Sequence, residues 1–350
     1  MSPGELNDRE RSILATVIRC YVQTAEPAGS RTIARRSGLG VSAATIRNTM
    51  ADLEEKGFLF HAHTSAGRIP TDKAYRLYVD QLLDVLPSDG AERQQLTREI
   101  TNGGSAIESI LRRAAQSLGV LTQELGVALG PRLDEAMLDR LEVVRLSSDR
   151  LILVLSLAGG AVRSIFIEVP GEIADHALAE VQQVLNERLA GLSLAEIRRS
   201  LGVRLRDATI TEGAIGGTEL LNIFVEEGEQ FFDVAATDAG EAVVLGQASL
   251  LADKPEFSSG ERMRRLIELT ETRTEIAALL RRRSASAGLS ITIGRENGTA
   301  LPGGLTVVTA EYRAGGLSGV IGVIGPTRMP YEKVIALVSH TSSLVTELLG

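Results

Sequence analysis

The first stretch of the chain with a clear helical period begins at a polar cap. Asn7 followed three residues later by Glu10 is the pattern of a capping box, in which each side chain binds the other residue's backbone N–H. Apolar residues then recur every three or four positions: Ile13, Leu14, Val17, Ile18, Tyr21 and Val22. This pattern predicts an amphipathic helix that ends at the AEPAG segment, residues 25–29.

Two more helices are predicted directly after the first, separated by a tight turn. Ser30 is placed to cap the earlier one and Gly38 to end it in a left-handed conformation. Ser42 is placed to cap the later one, and Gly57 to end it. Apolar residues at i, i+4 and i+7 predict one buried stripe on this later helix: Ile46, Met50 and Leu53. Such a pair of helices has helix-turn-helix proportions.

A short hairpin is predicted next. Residues 58–60 read as a strand, the polar loop HAHTSAGRIPT follows at 61–71, and residues 68–70 read as the return strand. Gly67 is expected to permit the turn, and Thr71 to cap a fourth helix. The apolar side of that helix consists of residues at helical spacing: Tyr75, Tyr78, Val79, Leu82 and Leu86.

The rest of the chain mixes strands with helices. PSDG, residues 87–90, indicates either the end of a domain or a hinge. The pattern is then mainly helical over 91–129, again over 172–258, and in one long helix over 261–283. Short β-branched segments predict strands at 141–146, 151–157, 162–169, 289–294, 305–312 and 319–325. A last helix begins near Pro330. Strands on both sides of a helical stretch predict an α+β fold with an insertion.

Composition places the chain among ordinary globular proteins. Its 350 residues are 44% hydrophobic and 23% charged, which predicts two or three domains. No apolar run is long enough for a membrane span, and the N-terminus lacks the pattern of a signal peptide. The single cysteine, Cys20, cannot form an internal disulfide and fits a reducing compartment. We therefore expect a cytoplasmic protein without contact to a membrane.

Charge is spread unevenly along the chain. The net charge is −8, yet residues 1–80 carry 11 basic and 9 acidic side chains. Residues 27–51 contain four arginines and no acid. A locally basic segment in an acidic protein could bind nucleic acid. The other interpretation is a solvated arginine surface, and charge alone favours that interpretation.

The order of residue types along the third predicted helix favours nucleic-acid binding. Its N-terminal half carries small or polar residues and no carboxylate: Ser42, Ala43, Thr45, Arg47 and Asn48. Its acids are confined to the far half, although the helix dipole mildly disfavours acids there. In a major groove Arg47 could pair with guanine and Asn48 with adenine. Phosphates would suit the residues Ser30, Arg31 and Thr45.

The loop beside this helix carries residues that could reach the DNA backbone or minor groove: His61, His63 and Arg68. His61 and His63 could also bind a metal, but no third ligand lies nearby in the sequence. Glycines in IGRENG and GVIGVIG do not match a nucleotide-binding fingerprint. No catalytic grouping is indicated, so we expect neither an enzyme nor a bound cofactor or metal.

Taken together, these residues resemble a known family. The segment 6–83, LNDRERSILATVIRCYVQTAEPAGSRTIARRSGLGVSAATIRNTMADLEEKGFLFHAHTSAGRIPTDKAYRLYVDQLL, is similar to the heat-inducible transcription repressor HrcA family, as are ITIGRENG and GVIGVIGPTRMPYEKVIALV. The resemblance implies a bacterial repressor of chaperone operons. Its members bind an inverted-repeat operator as a homodimer, and the chaperonin supports their activity.

The resemblance also implies a domain plan. We expect a winged helix-turn-helix DNA-binding domain at 1–87 and a GAF-like domain in two parts, 88–171 and 259–350. A mainly helical dimerisation segment would be inserted at 172–258. The GPTRM stretch predicts a strand-to-helix turn built from Gly325, Pro326, Thr327 and Arg328. Arg328 could bind either the dimer partner or an acidic cap.

One alternative function stays open at this point. GAF-like domains often bind small ligands, so the protein could be a metabolite-responsive transcription factor. No constellation of polar residues marks a pocket in the sequence, which favours a structural role for that domain. Melting shifts with metabolites would favour the alternative, and shifts with chaperonin alone would disfavour it.

Overall fold

The computed structural model describes most of the chain. The described residues are 6–61, 67–82, 90–104, 106–131, 135–158, 162–171, 173–208, 216–232, 243–271, 273–284, 288–298, 301 and 304–349. The chain divides into two compact units. The first unit comprises Met1–Ala128, Val244–Glu311 and Val320–Leu344. The second unit comprises Leu129–Val243, Tyr312–Gly319 and Val345–Gly350.

The described residues contain thirteen α-helices and ten strands. The helices are α1 Asp8–Thr24, α2 Ser30–Arg36, α3 Ala43–Glu55, α4 Asp72–Leu82, α5 Gly90–Thr101, α6 Ile107–Thr122, α7 Asp175–Leu189, α8 Leu194–Leu205, α9 Gly217–Phe231, α10 Ser249–Ala252, α11 Gly260–Glu271, α12 Arg273–Ser284 and α13 Tyr331–Leu349. The strands are β1 Leu59–His61, β2 Arg68–Pro70, β3 Leu125–Leu129, β4 Leu138–Arg145, β5 Arg150–Leu157, β6 Val162–Glu168, β7 Val243–Leu245, β8 Leu289–Ile293, β9 Leu305–Ala314 and β10 Leu317–Pro326. No helix of this described part is long and apolar enough to cross a membrane.

The capping residues explain where the first helices begin. Asn7 Oδ1 accepts from Glu10 N and Glu10 Oε2 accepts from Asn7 N, both at 2.9 Å, so the predicted capping box is confirmed. Ser42 Oγ accepts from Thr45 N at 3.1 Å and caps α3 as predicted. The expectation for Ser30 was wrong. It is the first residue of α2, and the cap position before it is Gly29, which has no side chain to accept a bond.

A shared apolar core holds α1, α2 and α3 together. Its side chains are at most 3% exposed: Ile13, Leu14, Val17, Ile18, Ile33, Ile46, Met50 and Leu53. Burying one such side chain contributes roughly 1.5–3 kcal/mol. The helical period predicted from the sequence therefore corresponds to the buried faces observed. Residue 86, expected on the apolar side of the fourth helix, lies outside the described residues.

The larger sheet contains two strands, β3 and β7, that the sequence pattern does not predict. Its strand order is β7-β3-β10-β9-β8, and β8 pairs with β9 in antiparallel register. Residues 91–129 were expected to be mainly helical, but β3 occupies their last five positions and is buried throughout. A continuous apolar run such as LGVAL has the same appearance in a buried strand and a buried helix. Gly126 lets α6 approach this strand, because a Cβ there would overlap the Ala115 carbonyl.

The predicted long helix at 261–283 corresponds to two described helices. They are α11 and α12, on either side of residue 272, which lies outside the described residues. The last helix, α13, begins at Tyr331, directly after Pro330 as predicted.

The second unit has its own core. Strands β4, β5 and β6 form an antiparallel meander, which confirms the three predicted strands. Their inward side chains and those of α7, α8 and α9 form one buried apolar cluster. The expected boundary between residues 171 and 172 falls inside this unit, between β6 and α7.

Candidate nucleic-acid interface

The turn between α2 and α3 depends on two glycines. Gly38 and Gly40 both have φ of +65°, a left-handed conformation that costs glycine little and other residues more. The sequence predicts this conformation at Gly38, but at the position of Gly40 it indicates only the tight turn between the two helices. The two glycines break the helix between residues 37 and 42. Helix α3 therefore begins separately from α2, with its own cap at Ser42.

The N-terminal half of α3 presents polar side chains to solvent. Ser42, Arg47 and Asn48 are exposed, and Ala43 and Thr45 are half-buried. Ser42 Oγ also lies 3.0 Å from Thr45 Oγ1, so these two hydroxyls partly satisfy each other. Within the described residues Arg47 has no ion pair. This half of the helix can therefore offer hydrogen-bond donors and acceptors to an external surface.

Helix α2 adds positive charge beside this surface. Its exposed basic side chains are Arg31, Arg35 and Arg36, and Ser30 is half-buried at its start. Arg36 Nη1 donates to Gln23 Oε1 at 2.9 Å. For Arg31 and Arg35 the described part of the chain provides no ion pair. Since residues 27–51 contain no acid, this charge is not neutralised by neighbours in sequence.

The hairpin joins α3 through the carboxylate of Glu54, a contact that no pattern in the sequence predicts. His61 Nδ1 lies 2.5 Å from Glu54 Oε1, and Arg68 Nε lies 2.9 Å from Glu54 Oε2. Arg68 also contacts His61 Nε2. Strands β1 and β2 pair with His61 opposite Arg68, which brings both side chains to the same end of the hairpin. His63 lies outside the described residues.

Gly67 is required for a different reason from the one expected. It is not among the glycines with positive φ, so turn conformation does not demand it. A Cβ at this position would overlap the carbonyl of Ala28. Arg68 and Ala28 exchange two backbone hydrogen bonds, from Ala28 N to Arg68 O at 2.9 Å and from Arg68 N to Ala28 O at 3.0 Å. The hairpin is thereby tied to the segment that links α1 to α2.

The GPTRM stretch lies at the C-terminal end of β10 and leads into α13. Gly325 and Pro326 are the last residues of the strand, and Thr327 N donates to Gly304 O at 3.0 Å. Arg328 forms two hydrogen bonds with Glu256, at 2.5 Å from Nε and 3.0 Å from Nη2. Of the two partners considered for Arg328, the structure places an acidic side chain of the same chain against it.

Gly325 leaves room for a buried carboxylate. A Cβ there would overlap Oε2 of Glu124, whose side chain is fully buried and paired with Lys254. Burial raises the pKa of Glu124 to about 8 from its ordinary 4.5, although Lys254 acts in the opposite direction. No signal in the local sequence pairs Gly325 with Glu124, because 200 residues separate them.

Comparisons with known proteins agree with this architecture. The family profile "HrcA protein C terminal domain" matches residues 108–335, well over half of the chain. The chain belongs to the HrcA family. A heat-inducible transcription repressor HrcA of Chlorobium luteolum is 38% identical over 100% of this chain and 99% of its own length. Its counterpart from Geobacter sulfurreducens is 36% identical over 99% of this chain and 98% of its own.

One solved structure shares the fold of this HrcA family member. It is titled as the crystal structure of a hypothetical protein at 2.2 Å resolution. It covers 99% of each chain at 21% identity, with a TM-score of 0.62. At that identity the likeness supports the fold alone.

Proposed function

We propose that this chain is a heat-inducible transcription repressor whose α2, α3 and β1–β2 hairpin form a winged helix-turn-helix. The observation that carries the proposal is the carboxylate-free half of α3 beside Arg31 and Arg35 of α2, which are exposed and form no ion pair with a described residue. Duplex DNA carries one negative charge per roughly 1.7 Å of its axis, so a carboxylate at the point of entry would be repelled. The names of the curated relatives agree with this function.

In this proposal α3 enters the major groove by its N-terminal half. Arg47 would donate two hydrogen bonds to guanine, and Asn48 would pair with adenine. Ser30, Arg31 and Thr45 would contact phosphates and set the register of the helix. The remaining proposed contacts come from the residues Ser42, Ala43, His61, His63 and Arg68.

Operator recognition requires a two-fold dimer if the operator is an inverted repeat, because each half-site then meets the same surface. The exposed apolar face of the β4-β5-β6 sheet supports the proposal that the partner is a second copy of this chain. Val144, Ile152 and Phe166 lie opposite one another across the three strands, and Phe166 is 69% exposed. Charges of both signs flank this row, in the pairs Arg140–Glu142 and Arg150–Glu168. Two copies can therefore pair without stacking like charges.

Placing the dimer contact on this sheet changes the proposed limits of the inserted segment. The meander shares one core with α7, α8 and α9, so we propose that the insertion spans residues 129–243. The GAF-like domain would then be built on the five-stranded sheet. The expected division at 172 would cut through a continuous core.

Chaperonin is the proposed regulatory partner. By restoring misfolded repressor it would raise the competent fraction, and with it the apparent operator affinity. Adding chaperonin to heat-treated protein should then recover DNA binding in proportion to the refolded fraction. Recovery at the same rate without chaperonin would remove this part of the proposal.

The direct test is DNA binding by the purified full chain. Affinity should be higher for a palindromic chaperone promoter than for a scrambled duplex of equal composition at moderate ionic strength. The footprint should cover two half-sites related by symmetry. Equal affinity for both duplexes would reject the proposed function.

The dimer is tested by sedimentation of two serine variants. Phe166→Ser should shift the protein towards monomer, since it removes the most exposed apolar side chain of the sheet face. Val203→Ser is the matched control, because Val203 is 70% exposed on α8 in the same unit. Dimer retained by both variants would place the contact on another surface.

A further inference from the structure

Helix α1 ends without a positive charge of its own. Its last turn contains no basic residue, and its C-terminal cap is Ala25 in a left-handed conformation, with φ of 57°. The last carbonyls of a helix lack partners within the helix and carry the negative end of its dipole. Tyr21 O accepts from Ala25 N at 2.9 Å, and Cys20 O accepts from Thr24 Oγ1 at 3.0 Å. The carbonyl of Val22 is left for a partner from elsewhere.

That partner is Arg328, 306 residues further along the chain. Its Nη1 donates to Val22 O at 2.8 Å, while Nε and Nη2 bind the carboxylate of Glu256. A guanidinium is planar with fixed donor directions, so the two hydrogen bonds to Glu256 determine where Nη1 points. The Arg328 side chain is 14% exposed and that of Glu256 is 26% exposed, so water screens the pair only in part.

The position of α1 bears directly on the proposed DNA-reading surface. Helices α2 and α3, together with β2, all contact α1. Ile13, Leu14, Val17 and Ile18 of α1 are almost fully buried, which makes the helix a rigid support for its neighbours. A shift of α1 would therefore carry α3 with it.

We propose that Arg328, oriented by Glu256, is a positioning residue for operator binding. It caps α1 from the GPTRM turn and fixes the orientation of α3 relative to the five-stranded sheet. The inference rests on the proposed DNA-binding function and adds to it a role for the GPTRM stretch. It also gives the sheet a direct means to alter DNA affinity, since a movement of residues 325–331 would reach α1 through the Arg328 guanidinium, in addition to the contact of Tyr331 with Tyr75 of α4.

A purely structural role predicts a different pattern of losses, and a second arginine of the first unit supplies the control. Arg113 donates to Ile100 O, near the end of α5, at 2.9 Å from Nε, and to Gly104 O at 2.9 Å from Nη2. Arg113→Ala therefore removes a comparable helix-terminal cap whose hydrogen bonds within the described residues go to Ile100, Ser109 and Gly104 and not to α1. Arg328→Ala and Arg113→Ala should both lose thermal stability, but only the change at Arg328 should alter the affinity for the operator and its preferred half-site spacing.

The experiment compares full-length wild type, Arg328→Ala, Arg328→Lys, Glu256→Gln and Arg113→Ala at a temperature where circular dichroism shows each to be folded. Affinity is measured for the operator, for operators whose half-site spacing is changed by one base pair, and for random duplex. Wild type and Arg113→Ala should agree within about twofold on every duplex once corrected for the folded fraction. Because misaligned base contacts no longer contribute fully to affinity, the Arg328 variants should bind the operator at least about tenfold more weakly.

Three further results decide the inference. Random-duplex affinity of the Arg328 variants should stay within about twofold of wild type, because phosphate contacts tolerate a shifted helix. Their preference for the native half-site spacing should flatten, and Glu256→Gln should reproduce part of the effect. The inference is overturned if Arg328→Lys and Glu256→Gln keep wild-type operator affinity and spacing preference, or if Arg328→Ala behaves as Arg113→Ala does. Wild type that shows no operator preference would instead refute the proposed DNA-binding function itself.

Discussion

The N-terminal half of α3 and the strand pair next to the hairpin loop carry similar polar residues but differ in how far those residues are already engaged. Arg47 and Asn48 on α3 are exposed, and in the described part of the chain Arg47 has no ion pair. On the hairpin Arg68 and His61 both contact Glu54. The sequence assigned both regions to DNA binding on residue type. The structure separates charges that are free to meet a ligand from charges that are held by a neighbour.

The difference changes what each arginine can contribute. A free arginine can pair with a base at the cost of its own desolvation and ordering. An arginine held by a carboxylate must first leave that partner or bind DNA through its remaining donors. We therefore expect the α3 tip to dominate sequence recognition, and the hairpin to act mainly through its fixed position.

The largest effect is expected at the α3 tip. Arg47→Ala should weaken operator binding by about 1–3 kcal/mol while leaving random DNA nearly unchanged, because a base contact discriminates between sequences. Arg31→Ala on α2 is the matched control, and it should weaken both duplexes equally as a phosphate contact would. Titrations of both variants on both duplexes measure this. A loss that is equal on both duplexes for Arg47→Ala would assign Arg47 to phosphate.

The attachment of the hairpin gives the next largest effect. Gly67→Ala places a Cβ against the Ala28 carbonyl, a backbone atom that cannot rotate away. Overpacking of this kind costs about 1–3 kcal/mol, measured as a lower free energy of unfolding. Gly104→Ala is the control, because nothing lies within 4 Å of its added Cβ. Equal stability of the two variants would mean that the hairpin can move away from Ala28 without cost.

Glu124 extends the comparison to a titratable group whose side chain is fully buried. Its folded-state pKa of about 8 exceeds the ordinary 4.5, so between these values the folded protein holds a proton that the unfolded chain has lost. The free energy of unfolding that depends on this proton is fully present below pH 4.5 and is lost as the pH rises to about 8. One proton limits the slope to about 1.4 kcal/mol per pH unit. Denaturant unfolding from pH 5 to 9 should show wild type losing stability relative to Glu124→Gln, and parallel profiles would contradict this.

The smallest effect concerns the held arginine itself. Glu54→Gln removes the carboxylate from Arg68 and His61 and should free Arg68 for a phosphate. The slope of log affinity against log salt should then steepen by about one unit on any sequence. Arg68→Ala in the same background should return the slope to its original value. An unchanged slope in Glu54→Gln would limit Arg68 to anchoring the hairpin.

Local signals predicted the N-terminal helices well and the central strands less well. The capping box of α1, the Ser42 cap of α3 and the i, i+4, i+7 stripe of α3 depend on residues a few positions apart, and the structure reproduces these features. Strand β3 was missed because both its faces are buried, which removes the alternation that marks a strand. The role of Gly67 was misread for a related reason, since its partner Ala28 is distant in sequence.

Which residue types stand on α3, and the absence of acid from its first half, were determined by the sequence alone. Tertiary structure decided which charged groups can still bind a ligand. Glu54 binds Arg68, and Glu256 and the carbonyl of Val22 bind Arg328. Burial raises the pKa of Glu124 to about 8, which favours its uncharged form. The physical reason is distance along the chain. A helical period is set by backbone geometry within a few residues, whereas electrostatic neutralisation depends on which distant segments the fold brings within about 4 Å.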